Sequence, residues 1–153
     1  MAKEIERKFL VKKDSWRQLG EGSLYRQGYI PAHGATVRVR IAGNQGYLTI
    51  KSPTINYSRS EFEYRIPLAD AQEMLDTLCV RPLIEKTRYK INYSGLVWEV
   101  DEFAGANQGL ILAEVELTDE AQQIQLPDWI GEEVSGDLRY YNSYLVKHPY
   151  SQW

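Results

Sequence analysis

Charged residues recur at every second position along six stretches of this chain. Glu4, Glu6 and Lys8 stand in E-I-E-R-K, Arg38 and Arg40 in V-R-V-R, and Glu61, Glu63 and Arg65 in S-E-F-E-Y-R. Lys86, Arg88 and Lys90 stand in E-K-T-R-Y-K, Glu99 and Asp101 in W-E-V-D, and Glu114 and Glu116 in A-E-V-E-L. On a β-strand, residues two apart project from the same face. Each stretch therefore gathers its charges on one side. Clustered Arg and Lys hold phosphate oxygens through charge-assisted hydrogen bonds, and Arg can do so bidentately. Clustered carboxylates hold Mg²⁺ or Mn²⁺, which bridges to phosphate and offsets its charge. Segregated acids and bases fit a bound anion with metal counter-ions.

Any one of these pairs is ordinary on a solvated strand, and the whole set is not. The acids are Glu4, Glu6, Glu61, Glu63, Glu99, Asp101, Glu114 and Glu116; the bases are Lys8, Arg38, Arg40, Lys51, Arg65, Lys86, Arg88 and Lys90. Same-face neighbours on one strand stand about 7 Å apart and repel when alike. Buried together, they are tolerable only with tight cross-pairing or bound ions. Stability alone does not ask for this pattern.

Composition removes other chemistries. The chain has 153 residues and a net charge of −3, which suits one domain and gives no global drive toward nucleic acid or acidic membranes. One cysteine, Cys79, and two histidines, His33 and His148, exclude a His/Cys zinc cage, so a metal would use carboxylate oxygens. No Ser/His/Asp or Cys/His arrangement is legible, and no G-x-x-x-x-G-K-[ST] loop is present. A metal-activated water is the most economical nucleophile. No apolar run suits a membrane helix. Lys3, Glu4, Glu6, Arg7 and Lys8 would interrupt the core of a signal peptide. A cytoplasmic location and no membrane partner are expected.

The elements that must position these charges are mostly strands. Strands are expected at residues 3–12, 23–31, 35–42, 46–52, 59–66, 82–92, 96–103 and 109–117. G-N-Q-G and Y-S-G mark hairpins. A short helix is expected before Gly20. An amphipathic helix is expected after Pro67, with Ala71, Met74, Leu75 and Leu78 at helical spacing. A short polar helix at Asp119 and a helical turn in P-D-W-I-G-E-E complete the list. The tail G-D-L-R-Y-Y-N-S-Y-L folds back on the body. About eight strands with short connections suit a closed barrel. Either the apolar face points inward and the charges meet water, or the charges line a tunnel while helices cover an apolar exterior.

The sequence resembles the CYTH domain, or triphosphate tunnel metalloenzyme, family. E-x-E-x-K stands as Glu4, Glu6 and Lys8. The later charged pairs follow in the family's order, and G-D-x-R-Y-x-N-x-x-L matches at Gly136, Asp137, Arg139, Tyr140, Asn142 and Leu145. The resemblance spans essentially residues 1–153 as one domain. It implies a mainly β fold: an eight-stranded antiparallel β-barrel forming a charged tunnel, with helices packed outside and a C-terminal helix. It also implies that Lys8, Arg38, Arg40, Lys51, Lys86 and Arg88 bind substrate phosphates. Arg139 is expected near a C-terminal plug as a further substrate contact. Metal would go to Glu4, Glu6, Glu61, Glu63, Glu99, Asp101, Glu114 and Glu116. The catalytic set is expected to be Glu4, Glu6, Lys8, Glu63 and Glu116.

The expected activity is metal-dependent hydrolysis of inorganic tripolyphosphate to pyrophosphate and phosphate, with Mg²⁺ or Mn²⁺ as cofactor. The partner is a small-molecule triphosphate rather than nucleic acid. The alternatives are a thiamine or nucleoside triphosphatase, a class IV-like adenylyl cyclase, or a polyphosphate-binding module without catalysis. A barrel holding an apolar ligand would need the opposite strand orientation. A second copy of the chain, in a homodimer, would cover exterior wall that helices leave open.

Overall fold

The structure is a computed structural model that describes residues 3–153. Nine strands follow in order: β1 (Lys3–Val11), β2 (Gly22–Ile30), β3 (Thr36–Ala42), β4 (Gln45–Lys51), β5 (Ser58–Ile66), β6 (Ile84–Tyr93), β7 (Leu96–Phe103), β8 (Ile111–Glu116) and β9 (Ile130–Glu133). Two α-helices accompany them, α1 (Leu68–Thr77) and α2 (Asn142–Lys147). The sheet runs β5-β4-β3-β2-β6-β7-β8-β1-β9, and β5 also pairs with β1. That pairing closes the first eight strands into an antiparallel barrel, leaving β9 outside it.

The hairpin signals and the alternation explain the register. Gly43 at φ +62° supplies the left-handed turn between β3 and β4, which places Arg38 opposite Thr49 and Arg40 opposite Tyr47. Around the barrel, Gln27 faces Arg40, Tyr25 faces Lys86, Arg88 faces Asp101, and Glu99 faces Glu114. Glu114 faces Lys8, Glu116 faces Glu6, Lys51 faces Glu61, and Arg59 faces Glu4. One strand face is thus charged around the barrel except on β2, which turns Tyr25, Gln27 and Tyr29 inward.

The charges point inward, and the main apolar clusters lie against the outer wall. Ile5, Phe9, Trp98, Val100 and Val115 project from β1, β7 and β8 and are covered by Trp16 and Trp129. Trp16 comes from the single 3-10 turn at Ser15–Gln18, where a short helix was expected. The amphipathic helix is present as α1, which lays Ala71 and Leu75 against Val39 and Ile41 of β3. Cys79 packs at the edge of this cluster, against β2 at Gly28. A Cβ at Gly28 would come within 2.7 Å of both Cys79 and Leu83, so glycine lets the layers meet. Each large apolar side chain buried in this way is worth about 1.5–3 kcal/mol. Outer clusters can therefore stand in for an inner core.

Two expectations are corrected. P-D-W-I-G-E-E does not begin a helical turn. Its Ile130–Glu133 segment is β9, paired with β1 where β5 has already left that edge, with Phe9 opposite Glu133 and Val11 opposite Ile130. An open strand edge outcompetes local helix propensity. Asp119 starts no helix either; its Oδ1 accepts from the Ala121 N–H at 2.7 Å, closing a turn.

One end of the barrel changes character. The inward positions Ile84, Phe103 and Leu112 are apolar, and Tyr140, Leu145 and Val146 pack onto them. The C-terminal segment therefore closes this end as a floor.

Candidate functional site

Above the floor lies a charged cavity of about 300 Å³. Its lining includes Glu4, Glu6, Lys8, Arg38, Arg40, Lys51, Glu61, Glu63, Lys86, Arg88, Lys90, Glu99, Glu114 and Glu116. Of the predicted site residues, Asp101 and Arg139 are missing from this lining. Asp101 faces inward one layer down, but its oxygens are already taken. Lys86 donates to Oδ2 at 2.7 Å, and Arg88 donates to both oxygens at 2.7 and 2.8 Å. It is a counter-charge that holds two bases upright, which leaves it no free face for a metal. Arg139 is more than half exposed outside the cavity, bound to Asp137 at 2.9 Å and lying over Tyr140 and Trp153. Arg65 does not line the cavity either.

Most of the lining charge is neutralised within the wall. Lys51 binds Glu4 at 2.8 Å and Glu61 at 3.4 Å, and Arg59 binds Glu4 at 2.9 Å. Lys8 stands 3.6 Å from Glu114, Arg38 stands 3.5 Å from Glu63, and Arg88 stands 3.4 Å from Glu99. These pairs set the local ionisation. Burial alone would raise the Glu4 carboxyl, but Lys51 and Arg59 outweigh it and hold it at about 2. Burial likewise opposes the charge on Glu114, yet Lys8, Arg88 and Lys86 hold it well below the usual carboxylate range.

Among the described lining residues, Glu6, Glu116, Arg40 and the exposed Lys90 escape this pairing. Among the described residues, Glu6 and Glu116 have no basic partner in ion-pair reach, and they face each other across β1 and β8. Burial, with Glu114 and Glu4 beside it, pushes the Glu6 carboxyl up to about 8. Burial, with Glu4, Glu61 and Glu99, also raises Glu116. On β3, across the cavity, Arg40 has no carboxylate partner among the described residues. Burial, with Arg38 and Arg88 nearby, pulls its guanidinium down to about 9. Its neighbour Arg38 has a buried Nε with no acceptor. An uncompensated acidic spot opposite an uncompensated basic one asks for a cation on one side and an anion on the other.

Carboxylate oxygens at Glu6 and Glu116 suit Mg²⁺ or Mn²⁺. Among the described residues, no three acidic or histidine side chains converge as a ready cage. Mg²⁺ commonly keeps several waters and takes one or two carboxylates together with phosphate oxygens, so the donor set fits such an ion.

Several lining residues went unrecognised in the sequence. Arg59 stands two positions before Glu61 and continues the same alternation, so its period was legible. Gln27 lies between Tyr25 and Tyr29 on the inner face of β2, but being neutral it escapes a search for charge. Tyr25, with Tyr29 and Tyr47, was legible as an aromatic candidate for a tunnel mouth, and it is flanked by Arg40 at 4.9 Å and Arg88 at 5.1 Å. Tyr141 and Ser143 reach the cavity from the C-terminal segment, where no strand period exists to flag them, beside Asn142, which the G-D-x-R-Y-x-N-x-x-L match marks without a role.

Comparison with known proteins accords with this geometry. The CYTH domain model matches residues 2–150. A protein of Acetivibrio thermocellus named inorganic triphosphatase is 53% identical over 154 residues, covering 100% of this chain and 99% of its own length. A Nitrosomonas europaea protein of the same name is 40% identical over 152 residues, covering 94% and 96%. The crystal structure of the inorganic triphosphatase NE1496 superposes with a TM-score of 0.69 at 35% identity, covering 95% of each chain.

Proposed function

The chain belongs to the CYTH domain family, and from that premise we propose that it is a triphosphatase that cleaves inorganic tripolyphosphate to pyrophosphate and phosphate with the help of Mg²⁺ or Mn²⁺. The observation that carries this reading is the charge left over in the cavity. Glu6 and Glu116 are unneutralised on one side, and Arg40 with the orphaned Arg38 Nε is unneutralised on the other. A metal-bound polyphosphate supplies both missing charges. The names of two relatives, 53% and 40% identical, support the same reading.

In this mechanism Lys8, Arg38, Arg40, Lys51, Lys86 and Arg88 grip the phosphate oxygens and stabilise charge as the terminal P–O–P bond breaks. Glu6 and Glu116 are the principal metal holders, with Glu4, Glu61, Glu63, Glu99 and Glu114 completing the acidic lining. A divalent ion, when bound, neutralises phosphate charge and lowers the pKa of a coordinated water. Water attacks the terminal phosphorus, pyrophosphate leaves, and Glu116 or Glu63 accepts the proton. The floor closes one end, so contacts to the buried Lys8, Lys51, Lys86 and Arg88 work in a lower dielectric than water.

The test is phosphate release from tripolyphosphate, thiamine triphosphate, ATP and GTP, each with Mg²⁺, Mn²⁺ or EDTA. Fastest release from tripolyphosphate, abolished by EDTA, is expected. Preference for an organic triphosphate would move the substrate assignment to Tyr29 and Tyr47 in the cavity lining. Release undiminished in EDTA would end the metal-dependent reading.

A further inference from the structure

Lys8, Lys51, Arg59, Lys86 and Arg88 each rest on a carboxylate, whereas Arg40 rests on an amide. Its Nε donates to Gln27 Oε1 at 2.9 Å, directly across the β2–β3 ladder. Gln27 is wholly inaccessible, so its bonds are made inside the protein. A guanidinium can only donate, which fixes the carbonyl oxygen of Gln27 toward Arg40. Its Nε2 must then donate elsewhere, and it does so to Asn142 Oδ1 at 3.2 Å and to the Tyr29 hydroxyl at 3.1 Å. Asn142 Oδ1 also accepts from Lys86 Nζ at 2.9 Å. A chain of hydrogen bonds thus links Arg40 through Gln27 to Asn142 Oδ1, where the bond from Lys86 converges. It ties two gripping cations to the first residue of α2, the helix that closes the floor.

We propose that Gln27 is a positioning residue: its neutral carboxamide, locked by Asn142, aims Arg40 at the triphosphate without cancelling the charge that the ligand needs. This inference rests on the triphosphate reading above. A glutamate has the same shape and would hold Arg40 by a stronger, charge-assisted bond. Its second oxygen would lack the proton that the amide donates to Asn142 Oδ1. The glutamate would also fill the one interior basic position that the wall leaves open for the ligand's anion. The amide keeps the geometry and leaves the charge unspent.

Rank order separates positioning from scaffolding. The experiment titrates tripolyphosphate onto the full chain, with EDTA and with Mg²⁺. It also measures KM, kcat and melting temperature for wild type, Gln27→Glu and Gln27→Met. Under the proposal, Gln27→Glu keeps Arg40 in place but neutralises it. Its Kd and KM rise by about 10- to 100-fold, the worth of a hydrogen bond to a charged group, and KM carries more of the loss than kcat. Gln27→Met melts lower but loses less affinity, because Arg40 remains charged. A scaffolding role predicts the reverse order, with Gln27→Met the poorer binder, and that result overturns the proposal. Equal affinities for Gln27→Glu and wild type overturn it too.

Should the Gln27→Glu chain not fold, Gln27→Met, Asn142→Leu and their double variant decide instead. A relay predicts that the double variant loses no more affinity than the worse single, and additive losses overturn it. Wild type that binds tripolyphosphate without cutting it removes the hydrolase reading, while the binding constants still judge Gln27. Wild type that binds none, with or without metal, removes both.

Discussion

Asp101 and Glu6 are both inward-facing acids in the same barrel, and their circumstances are opposite. Asp101 is 1% exposed and saturated, with Lys86 and Arg88 on its oxygens. Burial resists its charge, but those two bases outweigh burial and lower its pKa. Glu6 shares its neighbourhood with Glu4, Glu114 and Glu116, and its carboxyl stands near 8. Asp101 belongs to the folded chain, whereas Glu6 waits for something from outside. A buried acid becomes architecture when its counter-charge is built in, and a ligand site when it is left out.

The contrast is broken most severely at Asp101. Asp101→Asn leaves Lys86 and Arg88 buried without their counter-ion and should cost about 3–5 kcal/mol of stability, measured by urea unfolding. A change under about 1 kcal/mol would show that the pairing is not structural. Leu145→Ala, in the apolar floor, should cost about 2–5 kcal/mol through the cavity it leaves. The same denaturation curves check it.

Glu6→Gln should behave the other way round. Turnover should fall by about 10- to 100-fold, the range for disturbed metal sites, while the metal-free fold gains. Its pKa rises from the ordinary 4.5 to about 8 on folding. Between these values the folded state holds more protons than the unfolded one, so stability falls as pH climbs through that window. Gln carries no titrating proton, so melting in EDTA should decline less from pH 5 to pH 8 in the variant. An equal decline in both proteins would reject the assignment.

The smallest effect belongs to the outer face of β1. Arg7 grips Glu133 of β9 with bonds of 2.6 and 2.9 Å, and these lower the Glu133 pKa, with burial opposing. A depressed carboxyl contributes stability above its unfolded pKa and loses it as pH falls through the folded value. Glu133→Gln should cost about 1 kcal/mol at pH 7 and nothing once the pH is low enough to protonate the wild-type carboxyl. Thermal melts at both pH values read this directly.

The barrel was legible because the side-chain period of a strand is two, and Glu4 to Lys8, Lys86 to Lys90 and Glu114 to Glu116 write that period in charge. Which face points inward followed only from the family resemblance, because apolar and charged faces alternate equally well either way. The floor was not legible. Leu112, Ile84 and Phe103 carry the same inward parity as the charged residues, and no local signal separates the tunnel from its closed end. β9 was misread because its strand form depends on an edge of β1 more than a hundred residues away. Asp101 was placed correctly on its face, but its saturation depends on the spacing between β6 and β7. Gln27 is a neutral amide, to which a charge pattern is blind, and the motif match that marked Asn142 gave no sign of its bonds to Gln27 and Lys86.

β1 has a consequence for how the molecule comes into being. It precedes the other eight strands in the chain, yet its hydrogen-bonding partners are β5, β8 and β9. Until residue 133 has been synthesised, Glu4, Glu6 and Lys8 belong to a strand whose neighbours are incomplete. The hairpins between β2 and β7 can form from nearer contacts in the meantime, and closure waits for the most distant ones. Glu4, Glu6 and Lys8 are thus made before every strand they pair with, and the enclosed site forms only after β8 and β9 have followed.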